Sequence, residues 1–216
     1  MAERVIEALK KSPSIREIIA VIPFSQTEEW EKKLGVKVRF SDGDLLTNLK
    51  AGLDAFKNSE MVLIASGDIP LITPEAVEDF ISRSFLIKAD GYYPIIPKEW
   101  VKRKFPETKR TYATLREGTF TGGNFILIKP EVILSNWSWA KKLYEERKSP
   151  LKQANLLGFS IIFGFLTRTL TVRKAEKRLS ALLKANLKAV ITPYPEIGTD
   201  VDKREDYELV LKLLRR

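Results

Sequence analysis

Residues 61–80 read MVLIASGDIPLITPEAVEDF. An apolar run enters Ser66-Gly67-Asp68-Ile69-Pro70, and a strongly signalled helix follows. The run has the length and composition of a strand buried on both faces, and a strand feeding a helix is the building unit of an α/β fold. Thr73, Pro74 and Glu75 give that helix its own N-cap, first-turn proline and first-turn acid. Asp68 stands too early to share the capping, which leaves it an Asx-turn or a ligand. In parallel α/β sheets ligands gather beyond the carboxyl ends of the strands, and Asp68 falls there.

Outward from this stretch, strand-like and helix-like runs alternate. Ala2 to Lys11 reads as an amphipathic helix, REIIAVIP as a buried strand, VKVRF as a second strand, and Leu45 to Phe56 as a helix. GYYPIIP, TYATL and NFILI read as later strands, and KAVITPYP as the last, before a closing helix from Arg204 to Leu214. Residues 130–187 read almost wholly as helix. The pattern predicts one α/β domain over residues 1–216, with a mainly parallel, mixed sheet and a helical insertion at 130–187 near the C-terminal end.

Composition narrows the chemistry. With no cysteine there is no disulfide, thiol nucleophile or thiolate metal site, and a reducing, cytoplasmic setting is expected. With no histidine there is no imidazole base and no Ser-His triad. Catalysis would rest on carboxylates, lysines, arginines and a hard, oxygen-liganded ion such as Mg²⁺. The net charge of +9 suits a phosphate-bearing ligand, but the basic residues are scattered and no nucleic-acid motif appears, so no nucleic-acid partner is expected.

Three further stretches carry candidate chemistry. In TDVDKREDYELV (199–210), Asp200 and Asp202 follow a strand; the spacing of Asp202 and Glu205 also fits a capping box, the favoured reading of those residues alone. In GTFTGGNFILIKP (118–130), Thr121-Gly122-Gly123-Asn124 brings bare backbone and an amide close to something, or makes a tight turn. In SDGDLLTNLKAGL (41–53), an Asp44-capped helix is favoured over an anion site. Lys98, Lys109 and Arg110 are candidate phosphate or acceptor contacts, with surface solvation the favoured fate of each.

One apolar tract, Leu156 to Leu166, is too short to span a bilayer, which takes about 20 residues. Its apolar residues point nearly all ways round, so a buried or dimer-forming helix is expected; the alternative is an interfacial anchor beside the basic TRTLTVRKAEKR.

ASGDIPLITPEAVEDF, TGGNFILI and GTDVDKREDYELV, in this order, resemble the nucleotidyltransferases of the nucleotide-diphospho-sugar transferase superfamily. They are most similar to the branch with molybdenum-cofactor guanylyltransferase. The resemblance implies a three-layer, Rossmann-like (GT-A-like) fold and Mg²⁺-dependent transfer of an NMP from an NTP to a phosphorylated acceptor, with release of pyrophosphate. It implies Asp68 and Asp202 as metal ligands, Asp200 being the weaker candidate. Gly67 and Asn48 would lie at the nucleotide, and Thr121, Gly122, Gly123 and Asn124 at the acceptor. Such families open with a strand and an Ala-Gly-Gly loop that cradles the triphosphate, and nothing of the kind occurs here. The chain opens at MAERVIEAL, which resembles a later helix. Little or no catalysis is therefore expected of it as written. A non-catalytic nucleotide-binding or assembly protein and a membrane-associated transferase for a lipid precursor are the alternatives.

Overall fold

The computed structural model describes residues 1–146 and 158–214. In chain order its elements begin with α1 (Ala2–Lys10), β1 (Ile19–Ile22), α2 (Thr27–Leu34), β2 (Lys37–Phe40), α3 (Leu45–Ala55), β3 (Val62–Ala65) and α4 (Pro74–Phe85). Then come β4 (Gly91–Pro97), α5 (Lys98–Lys104), β5 (Ala113–Leu115), β6 (Gly118–Gly122) and β7 (Phe125–Ile128). The last are α6 (Pro130–Ser135), α7 (Trp137–Glu145), α8 (Phe159–Leu166), α9 (Val172–Leu183), β8 (Leu187–Ile191), a 3₁₀ turn (Pro195–Gly198) and α10 (Arg204–Leu214).

β1 and β2 form a separate parallel pair. The larger sheet has six strands built around β4. One edge of β4 pairs with β8 in parallel, Gly91 opposite Leu187 and Ile95 opposite Ile191. Its other edge takes β7 and β6 in turn, both antiparallel. β3 adds antiparallel to the far side of β7. Hence β3, β4 and β8 run in one direction with β7 reversed between the first two, and β3, β4 and β8 end at the same edge of the sheet.

Helices cover both faces, and strand alternation decides which residue meets which layer. Leu63, Ala65, Phe125 and Leu127 face a core made with Val5 and Leu9 of α1 and Val77, Phe80 and Ile81 of α4. Ile64, Ile126 and Ile128 face the opposite way, toward Leu49 and Leu53 of α3 and Val132 and Ile133 of α6. The expected three-layer arrangement follows from this two-sided burial. α6, Trp137 of α7 and Leu183 of α9 pack on the sheet itself, so this part of the 130–187 segment shares the common core; residues 147–157 lie outside the described residues.

One strand was not foreseen and one expectation needs correction. GTFTG (118–122) forms β6, because Gly122, Thr121 and Phe120 pair with Ile95, Ile96 and Pro97 of β4. The apolar tract around 159–166 is not buried. Within α8 only Gly164 is buried, while Phe159 is 81% and Leu166 74% exposed.

Candidate functional site

The carboxyl ends of the sheet strands are tied together by backbone hydrogen bonds. Ser66 N–H donates to the Asn124 carbonyl at 3.1 Å, and Asn124 N–H to that of Ile197 at 2.8 Å. Gly123 N–H donates to the Pro94 carbonyl at 3.0 Å, which closes the bulge between β6 and β7. Val201 N–H donates to the Asp68 carbonyl at 3.0 Å. That last bond sets the loop after β3 against the loop before α10, so Asp68 and Asp202 lie across one seam.

The capping assignments release both carboxylates. Thr73 Oγ1 accepts from Ala76 N–H at 3.3 Å and caps α4. Asp68 is held instead by Ser66, whose hydroxyl donates to Asp68 Oδ1 at 2.6 Å. At α10 the favoured capping box is not formed. Asp206 Oδ2 instead reaches back from the first turn of the helix, accepting from Lys203 N–H at 3.0 Å and Asp202 N–H at 3.3 Å. Among the described residues the Asp202 carboxylate has neither a hydrogen bond nor an ion pair. Its pKa is raised, first by the negative charge of Asp200, then by slight desolvation, Asp68 and Asp206.

A polar cavity of about 600 Å³ opens beside this seam, lined among others by Tyr93, Arg110, Thr121, Asn124, Asp200 and Asp202. Arg110 is 14% exposed in its side chain, against the expected solvated fate. Its guanidinium pairs with Asp200 and donates to the Gly122 carbonyl at 3.3 Å. Arg110 Nε and Asn124 Nδ2 are buried donors with no partner among the described residues. A buried donor without an acceptor is costly, so both suit a ligand oxygen in the cavity.

The other expected residues divide. Thr121 and Gly122 line the cavity, and Gly122 leaves no room for a Cβ against the Tyr93 hydroxyl. Gly123 does not line it; a Cβ there would stand 2.8 Å from Ile197 and Pro94 side-chain atoms, so its bareness serves packing. Asn48 lies on α3 away from the cavity, with its Oδ1 buried and unpartnered. Asp44 accepts from Thr47 N–H at 2.9 Å, the expected cap. Gly67 is exposed beside Ala2. Lys98 stands over the Tyr112 ring at 5.4 Å and does not line the cavity; Lys109 meets Glu205 at 3.6 Å, and both line it. Tyr93 and Asp206 were not foreseen; neither stands out in a strand of aromatics or a helix of charges.

The MobA-like NTP transferase domain family matches residues 1–154. The chain belongs to this family. Members of the wider nucleotidyltransferase group share its fold. A hypothetical transferase from Thermus thermophilus is 36% identical, with a TM-score of 0.83 over 95% of this chain and 85% of that one. A 4-diphosphocytidyl-2C-methyl-D-erythritol synthase from Anaerococcus prevotii superposes with a TM-score of 0.60 at 18% identity, covering 100% of this chain and 86% of that one. A CMP:2-keto-3-deoxy-manno-octonic acid synthetase complexed with CTP gives 0.62 at 13%, covering 99% and 87%. No curated protein matches the chain by sequence. The mixed α/β sheet with strand-end loops is thus a nucleotidyltransferase-family fold.

Proposed function

We propose that the seam between Asp68 and Asp202 holds Mg²⁺ on the phosphates of an NTP, and that the adjoining cavity holds a phosphorylated acceptor. The observation that carries this is the state of Asp202: a carboxylate without a partner, crowded by Asp200, Asp68 and Asp206. No group of three or more acidic side chains is arranged to hold a metal among the described residues. Two carboxylates still fit Mg²⁺, which keeps waters and takes substrate phosphate oxygens for its remaining positions. The bound ion would neutralise charge on the triphosphate.

The chain's own residues then position. Ser66 orients Asp68, and Arg110 draws Asp200 aside, leaving Asp202 for the ion. Arg110 Nε and Asn124 Nδ2 supply donors to acceptor phosphate oxygens, which are ionised at neutral pH and need no general base. An acceptor oxygen attacks the α-phosphorus; a new P–O bond forms, the bond to the β-phosphate oxygen breaks, and pyrophosphate leaves. Asn48 Oδ1 suits an amino or imino hydrogen of the nucleobase, and Gly67 lets the phosphates approach bare backbone.

Calorimetric titration of NTPs with and without Mg²⁺ tests this. Mg²⁺-dependent binding that Asp68→Ala abolishes is expected; unchanged binding would remove Asp68 from the site. Nucleotide binding without pyrophosphate release for any phosphorylated acceptor would assign the chain a non-catalytic nucleotide-binding role instead.

A further inference from the structure

α8 carries its apolar stripe outward. Phe159, Phe163 and Leu166 recur at the spacing that puts side chains on one helix face, and they are 81%, 57% and 74% exposed. The Phe159 and Phe163 rings stack with centroids 6.1 Å apart, joining them into one surface. The opposite side of the helix, at Gly164, packs against Leu170 and binds it to the chain that follows. A helix this apolar normally turns such a stripe to the core, so this face is built for contact with something outside the domain.

The neighbouring surface is cationic. α9 packs against α8, and the Arg178 guanidinium lies 3.5 Å from where a Gly158 Cβ would stand. Arg168, Arg173, Lys174 and Lys177 are exposed, and none is in an ion pair among the described residues. The only acid of α9, Glu176, is turned toward β8, accepting from Ala189 N–H at 2.9 Å and pairing with Lys188 at 3.2 Å. Glu117 reaches the first turn of α9, accepting from Val172 N–H at 3.1 Å, and leaves the exposed cations in excess, so the corner offers aromatic and aliphatic side chains beside net positive charge.

We propose that this α8–α9 corner docks on an anionic lipid bilayer surface. Exposed Phe and Leu enter the headgroup boundary while flanking Arg and Lys meet lipid phosphates and carboxylates. Among the described residues no helix is long and apolar enough to cross a membrane, so the contact is peripheral. A second copy of the chain fits less well, because a two-fold contact through this corner sets the same cations against each other. The inference is independent of the nucleotide site.

Vesicle flotation of the full chain provides the test, with phosphatidylcholine alone and with added phosphatidylserine. Binding to the anionic vesicles, falling as salt is raised, is expected. Phe159→Ser with Phe163→Ser abolishes it, at exposed positions that leave circular dichroism unchanged. Arg173→Gln with Lys177→Gln weakens it by a factor on the order of ten. Failure to float with either vesicle overturns the proposal, as does equal binding by the Phe159→Ser/Phe163→Ser variant. Sedimentation showing a dimer that this variant breaks, without vesicle binding, assigns the face to a second copy instead.

Discussion

The loop after β3 and the loop before α10 both set an aspartate just ahead of a helix, yet they free it by opposite means. In the first, Thr73 caps α4 from outside the helix, and Asp68 is fastened by the Ser66 hydroxyl at 2.6 Å. In the second, Asp206 caps α10 from inside, and Asp202 is left among like charges. A residue that caps is already satisfied and has little left for a ligand. Capping carried by a neighbour therefore marks a carboxylate that stability alone does not explain. One of the pair is held by a hydrogen bond; the other is crowded by like charge.

Removing either carboxylate breaks the comparison most severely. Asp68→Ala and Asp202→Ala are each expected to weaken Mg²⁺-dependent NTP affinity at least on the order of a hundredfold, the upper end of what even an outer-shell partner is worth. Titration calorimetry reads this directly. Ser66→Ala sharpens the contrast: it is expected to weaken affinity by roughly tenfold, because Asp68 loses its orienting donor while keeping its charge.

Arg110 comes next. The pair with Asp200 is partly buried, with side chains 14% and 23% exposed. Arg110→Met is expected to destabilise the fold by about 2 kcal/mol, between the limits for surface and buried pairs. It should also leave Asp200 as a further uncompensated charge against Asp202. Urea unfolding with and without Mg²⁺ checks both parts, because an ion at the seam restores some of the loss.

The two caps themselves are expected to be nearly equal. Thr73→Ala and Asp206→Ala should each cost about 1 kcal/mol in urea unfolding. Only Asp206→Ala should also alter Mg²⁺ affinity, since it removes a negative neighbour of Asp202.

What could be read from the residues, and what could not, divides by the range of the interaction. α4 was legible because Thr73, Pro74 and Glu75 are local signals, and β4 because GYYPIIP is bounded by its own punctuation. That Asp68 does not cap α4 was legible for the same reason: the cap beside it was already assigned. β6 was hidden because three residues between glycines are too short a run to signal a strand until β4 is there to pair with it. The Asp202 cap was misread because Glu205 and Asp206 differ by one position, and only the folded loop decides which carboxylate faces the free N–H groups. The Arg110–Asp200 pair joins residues 90 positions apart, beyond any periodicity. α8 reads as core since apolar composition cannot say whether a helix face has a neighbour.

The smallest effect expected is also the most diagnostic in sign. In the folded chain the Asp202 pKa is raised above its ordinary value, chiefly by Asp200. A carboxyl with a raised folded pKa binds its proton more tightly folded than unfolded, so its contribution is fully present below the unfolded pKa and is lost as pH rises through the folded one. Asp202→Asn removes this loss. At acid pH the variant and the parent should be equally stable; near neutral pH, without Mg²⁺, the variant should be the more stable. Asp202 is exposed, so screening holds the gain to no more than about 0.5 kcal/mol. Saturating Mg²⁺·NTP should reverse the order, stabilising the parent and leaving Asp202→Asn nearly unmoved. Thermal unfolding across pH, with and without ligand, reads both signs. A variant less stable than the parent at neutral pH without Mg²⁺ would mean that Asp202 serves the fold, and the contrast with Asp68 would collapse.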